Sequence, residues 1–492
     1  MRLVGPDSFG IAVPGLGFDA TFAASHPRPG VAGLVMQSGG VGLAVVDQLS
    51  RLGIGISSFA SVGNKLDVSS NDMLLWWEQD EVTKLAVLYI ESFGNPRKFA
   101  RTARRVGARM PVLTVHAGRF AVGQDADASH PAEATLASRE ALFEQVGIIA
   151  APGLGELVET AALLATQPVP AGRTVAIVSN SGGAGALAAD ACGELGLTVH
   201  RPHGVTMHQL RTLIPGARAD AGPVDTTAAI SGEAFRKCLE LVATDEDVHA
   251  VIALVLPTGA TGDLVQAIRQ AEIGLPLAAV VLNQAESVRV LDDTIPAYAY
   301  PQAAAGAIAR AATYGAWRAE PRGEVPAFPD VRTADARAVV RDYLRTEADG
   351  GWLPPGQAAD VLRCYGIALA EPTVTADERA TKAIVRVVHD PMFGPLVVLA
   401  GRGARLAPLT TTDADSLLLA DRDRSDSGLA ASSDSRLRDL LLRVSRLAED
   451  LPEITELDLS VTRPRSASVN SIDARVKVKR YEPHDPFLRK LR

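Results

Sequence analysis

Apolar and polar positions along the first third of the chain fall into two alternating registers. Short apolar runs at Gly33–Gln37, Gly55–Ser61, Lys84–Ile90 and Pro111–His116 have the length and composition of buried strands. Between them, Val41–Leu52, Asn71–Glu78 and Pro96–Gly107 repeat apolar residues at helical spacing, and a further helix is expected from Arg139 to Val146. Strands alternating with helices across short Gly-bearing turns predict a parallel sheet covered on both faces. Ligands of such sheets sit beyond the carboxyl ends of the strands, which places Gln37–Gly42, Val62–Asp67, Glu91–Asn95 and Ala117–Arg119 on one rim.

The pattern then returns. Ser38, Gly39, Gly40, Gly42, Asp47, Leu52 and Gly53 recur without a gap as Ser181, Gly182, Gly183, Gly185, Asp190, Leu195 and Gly196, 143 positions on. Strands are expected at Thr174–Ser179, His249–Leu256 and Pro276–Leu282, the last two lying 165 positions beyond their counterparts. The chain thus contains a duplicated α/β unit, residues 31–168 and 169–318. The copies differ in one respect. The first carries a Gly/Ala/Asp/Ser-rich loop with His130, whereas the second has Gln284–Asp293, without a histidine.

The ends read differently. Residues 1–30 hold two Gly/Pro clusters around short apolar pieces, the pattern of an arm draped over the first α/β unit or of the last piece of another domain. Residues 319–350 read as a linker with one helix, Ala334–Thr346. Residues 351–492 mix helices (Gln357–Tyr365, Ser435–Asp450) with strands (Ile384–His389, Leu396–Leu399, Glu456–Thr462, Ser468–Lys477), an α+β pattern. Their Asp/Ser-rich stretch Thr410–Ser435 is expected to be a solvated loop.

Composition narrows the function. A chain of 492 residues exceeds one ordinary core. Its three cysteines, Cys192, Cys238 and Cys364, lack disulfide or zinc spacing and read as packed thiols of a reducing compartment. No run reaches the ~18 apolar residues of a membrane helix, and the N-terminus lacks signal-peptide order, so a cytoplasmic protein is expected. A net charge of −8 without a basic block, and 5% aromatics, argue against a nucleic-acid partner. A dinucleotide-dependent oxidoreductase is excluded by the lack of a GxGxxG motif with an acidic residue ~20 positions on.

The candidate chemistry is phosphoryl binding. Each SGG turn opens a helix, whose free N–H groups and dipole favour an anion, and glycine lets a phosphate approach the backbone. Ser38, Gly39 and Gly40 in one copy and Asn180, Ser181, Gly182 and Gly183 in the other are the candidate phosphate-binding residues, with the serines as N-caps or hydroxyl donors. The bland reading is tight packing that binds nothing. A neutral imidazole at His130 can attack a phosphoryl group if its second nitrogen donates to a carboxylate. Glu91, at a strand end on the rim, is the best-placed carboxylate, and His116 is the weaker imidazole candidate. Taken singly, both His130 and Glu91 also fit solvated surface residues.

Several stretches resemble the nucleoside-diphosphate-forming acyl-CoA synthetases, relatives of succinyl-CoA synthetase that include forms fused to acetyltransferases. They are LVGPDSFG at Leu3–Gly10, QSGGVG at Gln37–Gly42, SVGNKLDVSSNDM at Ser61–Met73, ESFGNPRKFAR at Glu91–Arg101, Ala117–Arg119 with Ala128–His130, and SNSGGAG at Ser179–Gly185. The tail resembles the family's ATP-grasp domain in WLPPGQAADVLRCYGI, VHDPMFGPLVVLAGRG, RLAPLT and the segments around Glu456–Ser460 and Ser471–Val478.

The resemblance implies two flavodoxin-like domains and a reduced α+β ATP-grasp-like domain. It makes His130 a phosphohistidine, Glu91 its carboxylate partner, the SGG helices the pair holding the phosphoryl group, and Asn64, Lys65 and Asp67 part of a substrate loop. It further implies CoA or acyl-CoA, ATP or ADP with Mg²⁺, and a carboxylic acid and phosphate as small-molecule substrates. Assembly would be as a homo-oligomer or with a complementary subunit. The departures are a missing CoA-binding domain before LVGP, a short segment between Pro372 and Lys382, and Pro131 beside the histidine. Ser460 also replaces the family's Asn, leaving Asp473 as the matching Mg²⁺ ligand. Two functions therefore stay open: an acyl-CoA synthetase working through His130 with a partner for its CoA and nucleotide sites, or a catalytically silent regulatory or assembly subunit.

Overall fold

The computed structural model describes residues 2–91, 96–115, 132–216, 222–258, 263–369, 381–390, 393–401, 403–419, 434–463 and 470–481. The first unit runs β1 (Gly10–Val13), β2 (Phe18–Thr21), β3 (Pro29–Met36), α1 (Gly39–Arg51), β4 (Ile56–Ser61), α2 (Ser70–Trp77), β5 (Leu85–Tyr89), α3 (Pro96–Gly107), β6 (Val112–Val115), α4 (Ala132–Val146), β7 (Ile148–Ala151) and α5 (Leu154–Thr166). Its sheet has the order β2-β1-β4-β3-β5-β6-β7. The strands from β4 to β7 on that path are mutually parallel, and their order is flavodoxin-like, with the first strand between the second and third. Both faces are covered, so the strands are buried on both sides and mostly apolar, with the small polar residues Ser57, Ser58, Ser61 and Thr114 buried among them. Leu34 and Met36 of β3 enter one core and Val35, on the opposite face, another.

Residues 10–21 are part of this sheet, a structure their Gly- and Pro-rich sequence did not suggest. A turn with Gly17 at φ 65° folds β1 onto β2, and β1 pairs antiparallel with the otherwise free edge of β4. Four-residue strands carry too little periodicity to be read alone, so the edge of β4 supplies the register.

The second unit comprises β8 (Thr174–Ser179), α6 (Gly182–Glu194), β9 (Thr198–Val199), α7 (Gly204–Leu213), β10 (Val224–Asp225), α8 (Gly232–Val242), β11 (Ala250–Val255), α9 (Leu264–Arg269), β12 (Leu277–Val281), β13 (Val288–Leu291), β14 (Ile295–Tyr298) and α10 (Pro301–Ala319). The path β10-β8-β11-β12-β14 repeats the flavodoxin-like order, and β13 adds an antiparallel edge. The histidine-free segment Gln284–Asp293 thus contributes β13 to the sheet.

The two units share one core. Val45 and Leu49 of α1, Leu157 and Ala161 of α5, Ala188 and Cys192 of α6, and Ala304, Ile308 and Ala311 of α10 belong to a single buried cluster. The alanines of α10 let it lie close against both α5 and α6. The three cysteines are all buried and unpaired, and burial pushes the Cys192 and Cys238 thiols up to about 12.

The third unit contains α11 (Thr333–Thr346), β15 (Gly351–Trp352), α12 (Pro355–Cys364), β16 (Thr381–Asp390), β17 (Gly394–Leu399), β18 (Gly403–Leu406), α13 (Thr411–Leu419), α14 (Asp434–Asp450), β19 (Ile454–Arg463) and β20 (Asn470–Val478). Its antiparallel sheet has the order β15-β20-β19-β16-β17-β18. Two expectations change. Helix α11, read as part of a linker, buries Ala336, Val340 and Leu344 in the third core. The stretch expected to be a loop from Thr410 begins with α13. There Thr410 and Asp413 bond each other's backbone N–H groups in a capping box, and Ala414, Leu417 and Leu418 are buried at helical spacing. Residues 420–433 of that stretch lie outside the described residues.

The third unit docks on α4. The buried Gln145 donates through Nε2 to the Leu406 carbonyl at 3.1 Å and accepts the Leu406 N–H at 3.0 Å, and Glu144 pairs with Arg405 at 3.0 Å.

Candidate functional site at the strand ends

The duplication places an amide side chain at the same point of each sheet, where the chain leaves the first parallel strand. Gln37, after β3, accepts the N–H of Glu91 through Oε1 at 3.0 Å. Asn180, after β8 and 143 positions on, accepts the N–H of Leu256 through Oδ1 at 2.7 Å, and its Nδ2 donates back to the Leu256 carbonyl at 2.9 Å. Leu256 is itself 165 positions beyond Glu91. Both bridges span the first and third parallel strands, the switch point at which flavodoxin-like sheets bind ligands. Asn180 is 2% exposed, and its amide is engaged in this bridge.

The acid appears in one copy only. Glu91 is exposed at the end of β5 and accepts a hydrogen bond from the Tyr89 hydroxyl. The Tyr89 phenol is held above its usual range by burial first and by the Glu91 charge second. Across the rim, Lys65 donates to Gln37 Oε1 at 3.3 Å. Half-burial pushes the Lys65 amine down to about 8, with the Glu91 carboxylate acting against that shift. Gln37 Oε1 therefore accepts from both the Lys65 amine and the Glu91 backbone N–H, a role the sequence signalled only through its alignment with Asn180.

The turn that carries Lys65 is tied to the N-terminal residues. The N–H groups of Asn64 and Leu66 bond Pro6 and Gly5 carbonyls, and Asp67 accepts the Leu3 N–H at 2.9 Å and pairs with Arg2 at 3.0 Å. Of the substrate-loop candidates, Asn64 is exposed, Lys65 reaches the rim, and Asp67 holds the arm.

Both SGG turns open helices at strand ends. Ser38 and Ser181 occupy the N-cap positions, but neither hydroxyl caps its helix. The tips are lined differently. A Cβ on Gly39 would overlap the Phe9 ring, whereas one on Gly182 would lie 2.6 Å from Asp225 Oδ2. Gly40 and Gly183 face open space. At the α6 tip lies a cavity of about 420 Å³ lined by Ser181, Gly182, Asp225, Thr227 and Thr258. His130 and His116 lie outside the described residues. In the third unit Asp473 stands directly across from Ser460 on the neighbouring strand, both exposed, and Asp458 is paired with Arg386 at 2.9 Å. Among the described residues no group of three or more His, Cys, Asp or Glu side chains forms a metal cage, and no helix is long and apolar enough to cross a membrane.

Paired flavodoxin-like sheets with a charged switch point, joined to an antiparallel third unit, define the architecture of a CoA ligase. A succinyl-CoA ligase-like flavodoxin domain matches residues 29–164, a ligase-CoA domain 175–319 and an ATP-grasp domain 373–478. The chain is 27% identical to the ADP-forming acetate–CoA ligase I of Archaeoglobus fulgidus, over 97% of this chain and 82% of that protein. It is 30% identical to the alpha subunit of ADP-forming acetate–CoA ligase II of Pyrococcus furiosus, over 62% of this chain and 70% of that subunit. The structure of dinucleotide-forming acetyl-coenzyme A synthetase 1 from Ca. Korarchaeum cryptofilum superposes with a TM-score of 0.58 at 28% identity, covering 65% of this chain and 72% of that one. The chain belongs to the ADP-forming acyl-CoA synthetase family, and its function is acyl-CoA synthetase-like.

Proposed function

We propose that this chain makes an acyl-CoA from a carboxylic acid, CoA and ATP, with His130 carrying the phosphoryl group. The γ-phosphoryl passes from ATP to a ring nitrogen of His130 and then to the acid. The CoA thiol attacks the resulting acyl phosphate and releases phosphate. Glu91 accepts the N–H of the second ring nitrogen and fixes the tautomer of the attacking one. The observation that carries this reading is the oriented acid at the switch point: Glu91 is held through Gln37 and Tyr89, while its counterpart Leu256 carries no charge. Lys65 supplies positive charge for an anionic substrate, and the SGG tips bind phosphoryl oxygens.

The Ca. Korarchaeum cryptofilum synthetase is known in complex with phosphate and ADP, the ligands this reading assigns here. Asp473, with Ser460 opposite, offers oxygens to a nucleotide-bound Mg²⁺, an ion commonly held by one or two carboxylates together with phosphates. A second reading, a silent regulatory or assembly subunit, is favoured by the Arg386–Asp458 pair, which engages an acid of that strand region.

The test is incubation with labelled ATP and Mg²⁺, or with acetyl-CoA, phosphate and ADP, followed by a search for acid-labile phosphohistidine. Label that disappears in His130→Ala and falls strongly in Glu91→Gln supports the carrier. An unlabelled protein, with or without added cell extract, supports the silent subunit.

A further inference from the structure

Where the two α/β units meet, α4, β7 and α10 leave a cavity of about 380 Å³ between them. It lies away from the glycine tips. Arg173, which precedes β8, and Leu195, which ends α6, both line it, and α6 runs ~20 Å from its tip to that end. The floor is aromatic and fixed. Tyr314 and Trp317 of α10 stack with ring centroids 6.2 Å apart, the Tyr314 hydroxyl donates to the Gly107 carbonyl at 2.6 Å, and a Cβ on Gly147 would come within 2.3 Å of the Trp317 ring. Ile148 and Ile149 of β7 add an apolar wall.

Two arginines share this lining. The Arg173 guanidinium is held by the Gly196 and Leu195 carbonyls at 2.9 and 3.0 Å and by Thr313 Oγ1 at 3.1 Å. Arg310 donates through Nε to Thr160 Oγ1 at 2.7 Å, while its buried Nη2 makes no hydrogen bond among the described residues. Burial opposes the Arg310 charge, and Glu159 and Glu156 favour it without forming an ion pair with it. Of the acids in the lining, Glu144 is already paired with Arg405 at 3.0 Å, and Glu140 stands one helical turn before it. We infer that this cavity binds a carboxylic acid with a flat apolar body, its ring on Tyr314 and Trp317 and its carboxylate against the two guanidinium groups. A mostly apolar cavity between domains, with a few converging polar groups, is how small-molecule sites are commonly built. A guanidinium matches a carboxylate in shape and charge, and a buried donor left unpaired gains most from an acceptor.

Occupancy reaches the third unit through α4. Glu144 lines the cavity and holds Arg405, and Phe143, also in the lining, belongs to the buried cluster that contains Phe393, Leu396 and Leu406 of the third unit. The first residue of α4, Ala132, follows His130 by two positions in the sequence. An acid bound here braces α4 against α10 and so tightens the docking of the third unit. The cavity is thus an effector site, apart from the Glu91 rim, and it does not depend on the reaction proposed above.

The experiment titrates the full chain with cinnamate, followed by calorimetry and by hydrogen exchange. Saturable binding with a Kd on the order of 0.1–1 mM, the strength open to a small acid, together with slowed exchange in α4, β7 and β18, supports the inference. Cinnamamide, which keeps the ring and lacks the charge, should bind about tenfold more weakly, as should cinnamate to Arg310→Met. Leu195 is 41% exposed, so Leu195→Trp fills the cavity from its mouth without disturbing a core and should abolish binding. No binding to the unaltered chain, equal affinity for acid and amide, or binding that survives Leu195→Trp overturns it. His130→Ala leaves this lining intact, so unchanged cinnamate binding in that variant separates the result from failure of the carrier mechanism.

Discussion

Replacing Gln145 with Leu tests how the third unit is held. Gln145 and Leu406 are 8% and 7% exposed, and the amide satisfies both the N–H and the C=O of Leu406. Leucine keeps most of the volume and removes both bonds, leaving two buried backbone groups unpaired. At about 1–3 kcal/mol for each unsatisfied group, the change should weaken this contact by about 2–5 kcal/mol. The neighbouring Arg405–Glu144 pair is the control, because Glu144 is 65% exposed, so Glu144→Ala should cost less than about 1 kcal/mol. Denaturant titration gives the overall loss, and hydrogen exchange at β17 and β18 locates it. If Gln145→Leu matched Glu144→Ala in both measurements, the docking would rest on apolar contact alone, and the two bonds to Leu406 would contribute nothing.

Three further outcomes are expected. Asn180→Ala should lower stability by about 1–3 kcal/mol by freeing Leu256 at the second switch point, measurable by thermal unfolding, while a purely ligand-binding Asn180 would leave stability unchanged. The Lys65 amine has a folded pKa of about 8, below its unfolded value, so the unfolded chain binds more protons between about 8 and 10.5. Burial of Lys65 therefore costs stability in full below pH 8. The advantage of Lys65→Met in denaturant titrations should be largest there and shrink as pH rises towards 10.5. Gly147 has φ 70°, and a Cβ there would lie 2.3 Å from the Trp317 ring, so Gly147→Ala should destabilise by about 2–4 kcal/mol. In a Trp317→Gly background the loss should fall towards about 1 kcal/mol, the backbone cost alone.

How much of the fold could be read in advance depends on where the information lies along the chain. Most of the parallel strands were legible because double-sided burial makes them largely apolar runs, although β4 carries three buried serines, and the duplicated SGG turns stood out because close helix–strand approach restricts them to small residues. The β1–β2 hairpin was not legible, since its register comes from β4. Helix α13 was hidden by its Asp and Ser content, although Thr410 and Asp413 are a capping pair whose spacing was available to read. At the site, Glu91 was identifiable as a strand-end acid. Gln37 and Asn180 were read as motif residues, and their bridging role depends on a third strand more than fifty positions away in sequence. The depressed amine of Lys65 depends on its surroundings, which composition does not record.

The common core of α1, α5, α6 and α10 limits how this protein can move. A hinge between the first two units would have to expose alanines, leucines and valines now sealed between the sheets, so the pair behaves as one rigid chassis. The third unit instead meets α4 through a few polar contacts and a modest apolar patch. Any large excursion during turnover should pivot at that seam or arise in the rim loops, leaving the spacing between the two glycine tips constant throughout the cycle.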